Sequence, residues 1–569
     1  MRPLAVLHVL VVGAVVGVAA AVGVGAPCGV VLATSACARP KTQRLVLGTT
    51  SEPDTLLPLL TTSATAHEVH ALSWRDLTLR DPTWQLTPDL AERVPTLDNG
   101  DARMEGDQLT VHWRLRADAR WADGAPVVAD DFALALEIQQ DGTQEVVGRD
   151  DALRVERLVP DADGRGFTVT WREPNPFFAE PRVHRALPAH LLRARLVDDA
   201  GKVRPLAHDP FAQAPVGNGP FRLVEHAPGQ FLRLVRNEHA SPRPQLDEVV
   251  VRVVPSAAAL TAALEAGEID ATVGAGGLPL DAALALVARA PERFVAARAP
   301  GAQWAHLQMN LDDPWLKDVR VRRAIALALP RARIVEATTK GAALLAESYI
   351  PPQHWAHAAL PPLPYDPAAA RALLDDAGLP VGPEGMRVDA AGARVALVLS
   401  SSSENADTEQ TLLLVQRALA DVGLDSRLEL APFKVFFGEG VRKRRYPHLA
   451  YLAWTVDAST IGTQLWRQDR IPNAANGFKG QNTTGYRNDE VTALLAEADR
   501  TLDTPTRVRL LARVQQILRD ELPAIPMAFK PVVVVHRVGA RGLQPTGGAA
   551  PLAWNAATWS VTTTTGASR

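Results

Sequence analysis

One carboxylate ends a stretch of sequence that is otherwise apolar or β-branched. Residues 450–456 read Ala-Tyr-Leu-Ala-Trp-Thr-Val, which is typical of an interior strand, and Asp457 follows directly. A carboxylate is costly to bury unless a cation meets it. Two interpretations remain open. Asp457 caps the strand end through local backbone amides, which the spacing alone favours, or it lies in a dry cleft and binds an incoming ammonium group.

Other side chains could contribute to such a cleft, and each also has an ordinary structural explanation. Tryptophan suits either the core or a site with one dry edge. The tryptophans considered are Trp304, Trp315, Trp454 and Trp466. The basic run RKRRYPH at 442–448 is typical of a solvated loop, or it directs a guanidinium into a cleft to bind a carboxylate. His67 and His70 have a spacing that can share a metal, but two histidines on a helix are more often only partly exposed surface residues.

Catalytic chemistry has no support in the sequence. The 569 residues contain no G-x-x-x-x-G-K-[ST], no G-x-G-x-x-G after a strand, no H-E-x-x-H and no G-x-S-x-G. Both cysteines, Cys28 and Cys37, lie near the N-terminus, so a disulfide framework, a cysteine zinc site and a cysteine nucleophile are not expected. The formal net charge of −3 implies no strongly basic face, which argues against a nucleic-acid partner. We therefore expect no catalytic residue, no metal and no cofactor.

The first 38 residues have the composition of an export signal. Arg2 is the only charged residue before Arg39, and a long run of Val, Ala, Gly and Leu separates them. The triplet 36–38 fits cleavage before Arg39, whereas TSAC at 34–37 loosely resembles a lipoprotein signal that would lipidate Cys37, and both outcomes stay open. The run is also long enough for a membrane anchor, which its small residues disfavour. We expect a protein in the periplasm or on the outer face of the cell membrane.

Helices alternate with single strands through much of the chain, and this pattern places Asp457 just beyond a strand. Strands are predicted at 44–50, 108–116, 166–173, 229–237, 246–255, 395–400, 425–430, 448–454 and 531–538. Helices are predicted at 62–78, 129–140, 257–267 (closed by Gly267 and followed by a short strand), 318–329, 366–378, 408–423, 489–503 and 505–523. Such alternation predicts an α/β fold.

A series of motifs runs in order from about Leu45 to about Val538. They are EPDTLLPL at 52–59, PDLAE at 88–92, the strand, D-G turn and helix of 109–137, GNGPFRL at 217–223, LDEVVVRVVP at 246–255, ALEAGEID at 263–270, the block 307–329, YDPAAARALLDDAG at 365–378, NTTGYRNDEV at 482–491, and 507–527. In this number and order they resemble the extracytoplasmic solute-binding proteins of the oligopeptide, dipeptide and nickel class, solute-binding protein family 5, which serve ABC importers.

The resemblance implies an α/β, two-lobed periplasmic-binding-protein fold, type II-like with an extra inserted subdomain. Its hinge-connected lobes would close on a ligand. Lobe I would comprise 39–80, 216–309 and 524–569, the inserted subdomain 81–215, and lobe II 310–523.

The resemblance also implies a function without a catalytic step. A monomeric protein would capture a short peptide and deliver it to the membrane permease and ATPase complex of an ABC importer. In peptide-binding members, a W-x-x-D segment places a carboxylate against the ligand's α-amino group, and here that segment is Trp454 to Asp457. Trp304 is expected beside the ligand. The candidate partners of the ligand carboxylate are Arg445, Arg467 and Arg470.

Other functions remain as alternatives. The same fold hosts several cargoes, so a metal chelate or another small solute is the rival ligand. An exported enzyme is disfavoured, since it predicts a nucleophile or metal cluster, and a presenting or chaperone-like role is compatible with closure alone. One departure from the family pattern is Pro330, where Asp often stands, and we expect it to affect a helix start and not the ligand.

Overall fold

The computed structural model describes residues 42–181, 183–197, 203–404, 406–548 and 550–562. These belong to a single compact unit that begins at Thr42. The predicted export signal at 1–38, with Cys37, lies outside the described residues.

Strands and helices alternate as the sequence predicted. The strands of the described residues are β1 (Arg44–Thr49), β2 (Thr78–Arg80), β3 (Leu86–Pro88), β4 (Ala102–Glu105), β5 (Gln108–Arg114), β6 (Val155–Pro160), β7 (Gly166–Trp171), β8 (Phe221–Ala227), β9 (Phe231–Arg236), β10 (Glu248–Val253), β11 (Ala271–Thr272), β12 (Phe294–Met309), β13 (Leu344–Leu345), β14 (Ala396–Ser402), β15 (Asp425–Ala431), β16 (Leu449–Thr455), β17 (Ala524–Arg537), β18 (Ala540–Arg541) and β19 (Ser560–Val561).

The α-helices of the same residues are α1 (Ala64–Ser73), α2 (Ala129–Gln140), α3 (Arg149–Arg154), α4 (Ala189–Leu196), α5 (Ala257–Ala266), α6 (Leu280–Arg289), α7 (Val319–Ala328), α8 (Arg331–Thr339), α9 (Pro367–Asp376), α10 (Ala406–Ala420), α11 (Phe433–Val435), α12 (Thr463–Trp466), α13 (Asp489–Ala498) and α14 (Thr504–Glu521). As expected, α8 begins directly after Pro330, which supplies no side-chain cap.

Local sequence chemistry explains several of these boundaries. Helix α2 begins where Asp131 accepts the backbone N–H of Val128, which satisfies a donor that the first turn leaves unpaired. Helix α5 ends at Gly267, whose φ of 76° lies in the left-handed region that glycine adopts without steric cost. Helix α14 starts with Asp503 accepting the N–H of Thr506.

One large sheet holds most of the strands. Its order is β15-β14-β16-β12-β17-β11-β1-β10-β9-β8, with β13 attached to β17. Strand β1 is parallel to β10 and β11, and β14 is parallel to β15 and β16. The long strands β12 and β17 pair antiparallel in the middle, so they join the two halves of the sheet.

The central pair of strands was only partly predicted. The sequence analysis assigned no strand to 294–309 and began the last one at 531, seven residues after β17 starts at Ala524. The pairing shifts register between Ala299 and Gln303, where Pro300 and Gly301 interrupt the strand pattern. Glycine is required at position 301, because a Cβ there would lie 1.6 Å from the carbonyl oxygen of Lys530.

A second, four-stranded sheet of order β4-β5-β7-β6 forms a separate small-sheet unit. In β5 the side chains of Leu109, Val111 and Trp113 are buried and alternate with half-buried residues, as the sequence predicted. They pack in a core with residues of α2 and α4. The lobe boundaries at 80/81, 215/216, 309/310 and 523/524 remain a prediction.

Candidate functional site

A cavity of about 1280 Å³ opens beside the end of β16. One wall is formed by β16 and the segment that follows it, together with β12, β14 and β17. Residues of α3 and Glu173, from the small-sheet unit, form the opposite wall. A second cavity of about 680 Å³ shares Gln303, Thr455, Asp457 and Lys530 with the first. We call the two together the cleft.

Asp457 lines the cleft and also caps the strand end, so both interpretations of the sequence describe part of its environment. Its side chain is exposed, and Oδ1 accepts hydrogen bonds from the N–H of Ser459 at 3.0 Å, the Ser459 hydroxyl at 2.7 Å and the Thr460 hydroxyl at 2.8 Å. Within the described residues, no cation pairs with Asp457 and no donor reaches Oδ2. The turn therefore fixes one oxygen of a residue that lines the cleft, and the other oxygen has no donor among the described residues.

Three polar residues lie side by side on adjacent strands at the floor of the cleft. Gln303 of β12 is in register with Thr455 of β16 and with Lys530 of β17. Residues directly opposite in antiparallel strands point to the same face, and all three line the cleft. Burial lowers the pKa of the Lys530 ammonium, and the Asp407 carboxylate opposes this effect.

Aromatic rings line another part of the cleft. Trp454 is half-buried and lines the cavity, with its ring centroid 5.5 Å from that of Phe437 in an edge-to-face arrangement. Phe437 is in turn stacked on Phe433 at 5.4 Å. This cluster provides an apolar surface beside the charged groups.

Most arginines that line the cleft are neutralised by the protein itself. Arg467 donates two hydrogen bonds of 2.9 Å to Asp469, and its guanidinium lies 3.7 Å from Asp499. Arg470 lies 3.6 Å from Asp469. Across the cleft, Arg154 of α3 pairs with Glu173 at 3.1 Å. Arg467 and Arg470 thus lie where the sequence analysis expected, but each already has an acidic partner.

Two predicted site residues lie outside the cleft lining. Trp304 is only 2% exposed, and its ring stacks on His306 at 3.7 Å within the core. It lies directly opposite Trp454 of β16, which packs against the same apolar cluster. Arg445 is an exposed loop residue whose guanidinium lies 3.3 Å from Glu439.

Sequence reasoning missed Lys530 and Gln303, as well as the wall formed by Asp150, Asp151 and Arg154. A signal for Lys530 was present. It is a lone charge within AIPMAFKPVVVV, the same pattern of a charge in an apolar strand that drew attention to Asp457. The α3 residues have no comparable signal, since charges are common on short exposed helices.

No metal site is found in the part of the chain that the structure describes, since no group of three or more His, Cys, Asp or Glu side chains is placed to hold an ion. The rings of His67 and His70 lie edge to face with centroids 6.0 Å apart. No helix among the described residues is long and apolar enough to cross a membrane.

A band of aromatic rings and one arginine lies behind the cleft wall that carries Asp457. We call it the aromatic seam, and it comprises Trp84, Phe177, His354, Trp355 and Arg507. The Trp84 ring meets His354 edge to face at 5.9 Å, and His354 stacks on Trp355 at 5.3 Å. The Arg507 guanidinium lies 4.6 Å from the Phe177 ring and 4.4 Å from the Trp355 ring.

The seam joins distant parts of the chain. Trp84 lies between β2 and β3 and Phe177 follows β7, whereas Arg507 belongs to α14. Trp84 also packs against Ala302 and Ala458, the immediate neighbours of cleft residues Gln303 and Asp457. The turn between β2 and β3 is therefore held against the wall that carries Asp457, and the segment after β7 is held against α14.

The chain was compared with known families and proteins. Residues 85–504 match the family described as bacterial extracellular solute-binding proteins, family 5 Middle. The oligopeptide-binding protein AppA of Bacillus subtilis (strain 168) is 24% identical over 497 residues, which cover 84% of each chain.

Solved structures share the whole architecture. The oligopeptide-binding protein of Thermus thermophilus, complexed with a pentapeptide, is 27% identical with a TM-score of 0.68, covering 92% of this chain and 97% of that one. NikZ from Campylobacter jejuni, in complex with Ni(L-His), is 21% identical with a TM-score of 0.72, covering 91% and 99%. The predicted two-lobed α/β fold is confirmed, and the chain belongs to the bacterial extracellular solute-binding proteins of family 5.

Proposed function

We propose that this protein captures peptides through their free α-amino group and delivers them to the permease and ATPase complex of an ABC importer. The observation that carries the proposal is Asp457, a carboxylate on the cleft wall with no cation of its own among the described residues. An ammonium group supplied by the ligand would complete it. The named oligopeptide-binding relatives support a peptide as the source of that group.

The cleft suits a ligand with varied side chains. Its volume of about 1280 Å³ exceeds what a short backbone fills, so ligand side chains and water can share the space. Trp454 and its aromatic neighbour Phe437 offer an apolar surface, and Arg467 remains close enough to adjust to a ligand carboxylate. We assign no catalytic step to the site, and we infer that the protein acts as a monomer.

Capture would be coupled to closure of the lobes. We propose lobe I as 39–80, 216–309 and 524–569, with 81–215 inserted and 310–523 as lobe II. The chain would then pass between the lobes at the end of β12 and at the start of β17, and the hinge would lie at these two points. A ligand that contacts Asp457 and the α3 wall stabilises the closed form that the permease recognises. We also propose that the protein stays outside the cell, either free or anchored through a lipid on Cys37.

Mass spectrometry of ligand released from the purified protein by denaturation tests the ligand class. Peptides of two to five residues are expected, and calorimetry with the same peptides would give their affinity. A metal chelate of the kind bound by NikZ, or a sugar, would overturn the proposal. An intact-mass measurement of the mature N-terminus would separate lipidation at Cys37 from cleavage before Arg39.

The substitution Asp457→Asn tests the site itself. Asparagine keeps an oxygen acceptor for the turn but removes the charge, so peptide binding should weaken by about 2 kcal/mol, roughly 30-fold, while folding is retained. Asp389→Asn is a matched control, because Asp389 accepts the N–H groups of Ala391 and Ala393 in a similar exposed turn and lines neither cavity of the cleft. Equal affinities for both variants would place the ammonium elsewhere.

A further inference from the structure

We propose that Ser459 and Thr460 make the Asp457 site selective for an ammonium group over a guanidinium group. This inference rests on the proposed function, in which Asp457 meets the α-amino group of a peptide, and it narrows the chemistry of that group. The two hydroxyls would act by occupying one carboxylate oxygen, so that a ligand can use only the other. Ser459 and Thr460 were not among the residues that the sequence singled out.

Oδ1 of Asp457 already has a full set of donors. It accepts hydrogen bonds from the N–H of Ser459 at 3.0 Å, the Ser459 hydroxyl at 2.7 Å and the Thr460 hydroxyl at 2.8 Å. A carboxylate oxygen has about two lone-pair sites, so these donors leave none on Oδ1 for a ligand. No donor reaches Oδ2 within the part of the chain that the structure describes. The remaining binding capacity of Asp457 is therefore concentrated on one oxygen.

Thr460 is tied to Asp457 by more than this one bond. Its hydroxyl also accepts the N–H of Asp457 at 3.2 Å, and its own N–H donates to the Asp457 carbonyl at 3.0 Å. A hydroxyl has one hydrogen to donate and lone pairs to accept with, so Thr460 can make both side-chain contacts at once. The carboxylate of Asp457 is therefore held in one orientation relative to its own backbone.

Two aromatic side chains anchor the backbone of this turn. Nε1 of Trp355 donates to the Ala458 carbonyl at 2.8 Å, and the Tyr349 hydroxyl donates to the Ile461 carbonyl at 2.8 Å. Neither contact uses the hydroxyls of Ser459 and Thr460, although both of these residues line the cleft. Replacing the two hydroxyls should therefore free Oδ1 without displacing the turn.

The positive charge at Oδ2 would have to come from the ligand. Among the residues that the structure describes, no cation forms an ion pair with Asp457. His354 of the seam interacts electrostatically with Asp457, but burial lowers its pKa to about 4, so its ring is neutral at neutral pH. The choice of cation at this site is therefore a choice between ligands.

The shape of a cation determines how well it fits a single oxygen. An ammonium is a compact point charge with donors that rotate, so it can direct one N–H to Oδ2 and the others to water. A guanidinium is a rigid planar fork whose strongest pairing uses both carboxylate oxygens in parallel. At Asp457 it would have to displace the two hydroxyls from Oδ1 or lose half of that pairing. Either outcome costs affinity.

Calorimetry with three forms of one peptide tests the inference. The probes are trialanine, trialanine with its amino group converted to a guanidino group, and N-acetyltrialanine. They are titrated into the wild type, into the double variant Ser459→Ala with Thr460→Val, and into Thr143→Val. Thr143 is a matched control, because its hydroxyl donates a 2.9 Å bond to Asp141 in a similar turn and it lines neither cavity of the cleft.

The expected result is a change in a ratio of affinities. The wild type and Thr143→Val should bind trialanine about 10-fold more tightly than the guanidino form. In the double variant both oxygens become available, so this ratio should fall to about 3-fold or less. Exchanging the hydroxyls with Ser459→Thr and Thr460→Ser keeps both donors and should keep the wild-type ratio. N-acetyltrialanine should bind weakly to every protein in the set.

The outcomes separate this inference from the proposed function. If the ratio is the same in the double variant and the wild type, the hydroxyls do not select the cation and the inference is wrong, while capture through the amino group stands. The inference is also wrong if the wild type binds the guanidino form as tightly as trialanine. If N-acetyltrialanine binds the wild type as tightly as trialanine, or if none of the probes binds, both the inference and the proposed function fail.

Thermal unfolding of each variant without peptide checks that the fold is retained. The single variants Ser459→Ala and Thr460→Val should each give a ratio between those of the wild type and the double variant, and they replace the double variant if it does not fold. A single variant that leaves the ratio unchanged would remove that residue from the selection, and two such variants would overturn the inference.

Discussion

The aromatic seam and the cleft lie next to each other, and their polar groups are satisfied in different ways. Single steps along the chain separate them, because Ala302 and Ala458 pack on Trp84 in the seam while Gln303 and Asp457 line the cleft. In the seam, the charge of Arg507 meets two aromatic rings supplied by the protein. In the cleft, Asp457 and Lys530 have no ion-pair partner among the described residues. The charge in the seam is thus met by rings of the protein, whereas the two charges in the cleft have no such partner in the described chain.

Seam contacts and cleft contacts would make different contributions to the free energy of lobe closure. In the proposed closure, seam contacts are the same whatever the ligand is, so they would contribute uniformly to the closed state. Cleft contacts depend on the ends of the ligand, so they determine which ligand is bound. The backbone links the seam to the cleft, because Ala302 precedes Gln303 and Ala458 follows Asp457. A shift of the two alanines that pack on Trp84 would therefore move the cleft residues. Substitutions in the two regions should therefore have different signatures.

Trp84→Ala should give the largest loss of stability. Trp84 is 3% exposed, and it adopts a φ of 66°, which costs a large side chain about 1 kcal/mol of strain that its contacts must offset. Removing the ring should lower the free energy of unfolding by about 3 kcal/mol, measured by urea denaturation. Trp554→Ala, at a half-buried tryptophan outside the seam, should cost less. A smaller loss at Trp84 than at Trp554 would mean that the seam does not stabilise the protein.

Arg507→Met should break the seam more gently. Arg507 is 5% exposed and loses two cation–π contacts, so the closed state should be destabilised by about 1–2 kcal/mol. Affinities for a peptide with a free amino group and for its N-acetylated form should fall by the same factor. Arg513→Met on the same helix is a matched control, because its 2.7 Å ion pair with Glu490 is exposed and contributes little. A loss confined to the peptide with the free amino group would assign Arg507 to the cleft and contradict the distinction.

Features fixed by neighbours in the sequence were predictable, and those fixed by distant pairing were not. Helix α2 was predicted to the residue because its cap, first turn and apolar face are local. Strand β12 was missed because Pro300 and Gly301 interrupt its pattern, and only the pairing with β17 keeps it continuous. The position of Asp457 beside a cleft came from the family motif, since its spacing alone favoured a local cap.

Burial could not be predicted from residue type at the site. Trp304 was expected beside the ligand, and its ring is buried in the core, whereas Trp454 opposite it and Gln303 before it line the cleft. Lys530 shows the converse. Its type and apolar surroundings carried a signal, but the pairing with Gln303 is what brings it near Asp457, and no single stretch of sequence contains that pairing.

Acidification should loosen the seam through His354. Burial lowers the pKa of this histidine to about 4, and Nδ1 accepts the N–H of Ala356 at 3.0 Å. The unfolded chain binds a proton near pH 6.5 and the native seam does not, so stability is fully present above pH 6.5 and is lost as the pH falls towards 4. Lowering the pH from 7.5 to 5.5 should therefore reduce the free energy of unfolding by about 1 kcal/mol through this histidine.

The variant His354→Asn isolates that contribution. Asparagine can accept the same backbone N–H but does not titrate. The free energy of unfolding of the variant should therefore fall by about 1 kcal/mol less than that of the wild type over the same pH interval. Urea denaturation at the two pH values measures the difference. Identical losses in the two proteins would show that His354 is protonated without opening the seam.

Lys530→Met should give the smallest effect on stability and the opposite sign. In the seam, removing the charge of Arg507 leaves two rings without a partner, whereas at Lys530 it removes a half-buried ammonium that lacks a counter-ion in the described chain. Without ligand, the free energy of unfolding of the variant should therefore exceed that of the wild type by about 0.5–1 kcal/mol. Urea denaturation of the ligand-free protein measures this gain. A destabilised variant would mean that Lys530 is a structural residue like Arg507, and the difference between seam and cleft would then not extend to β17.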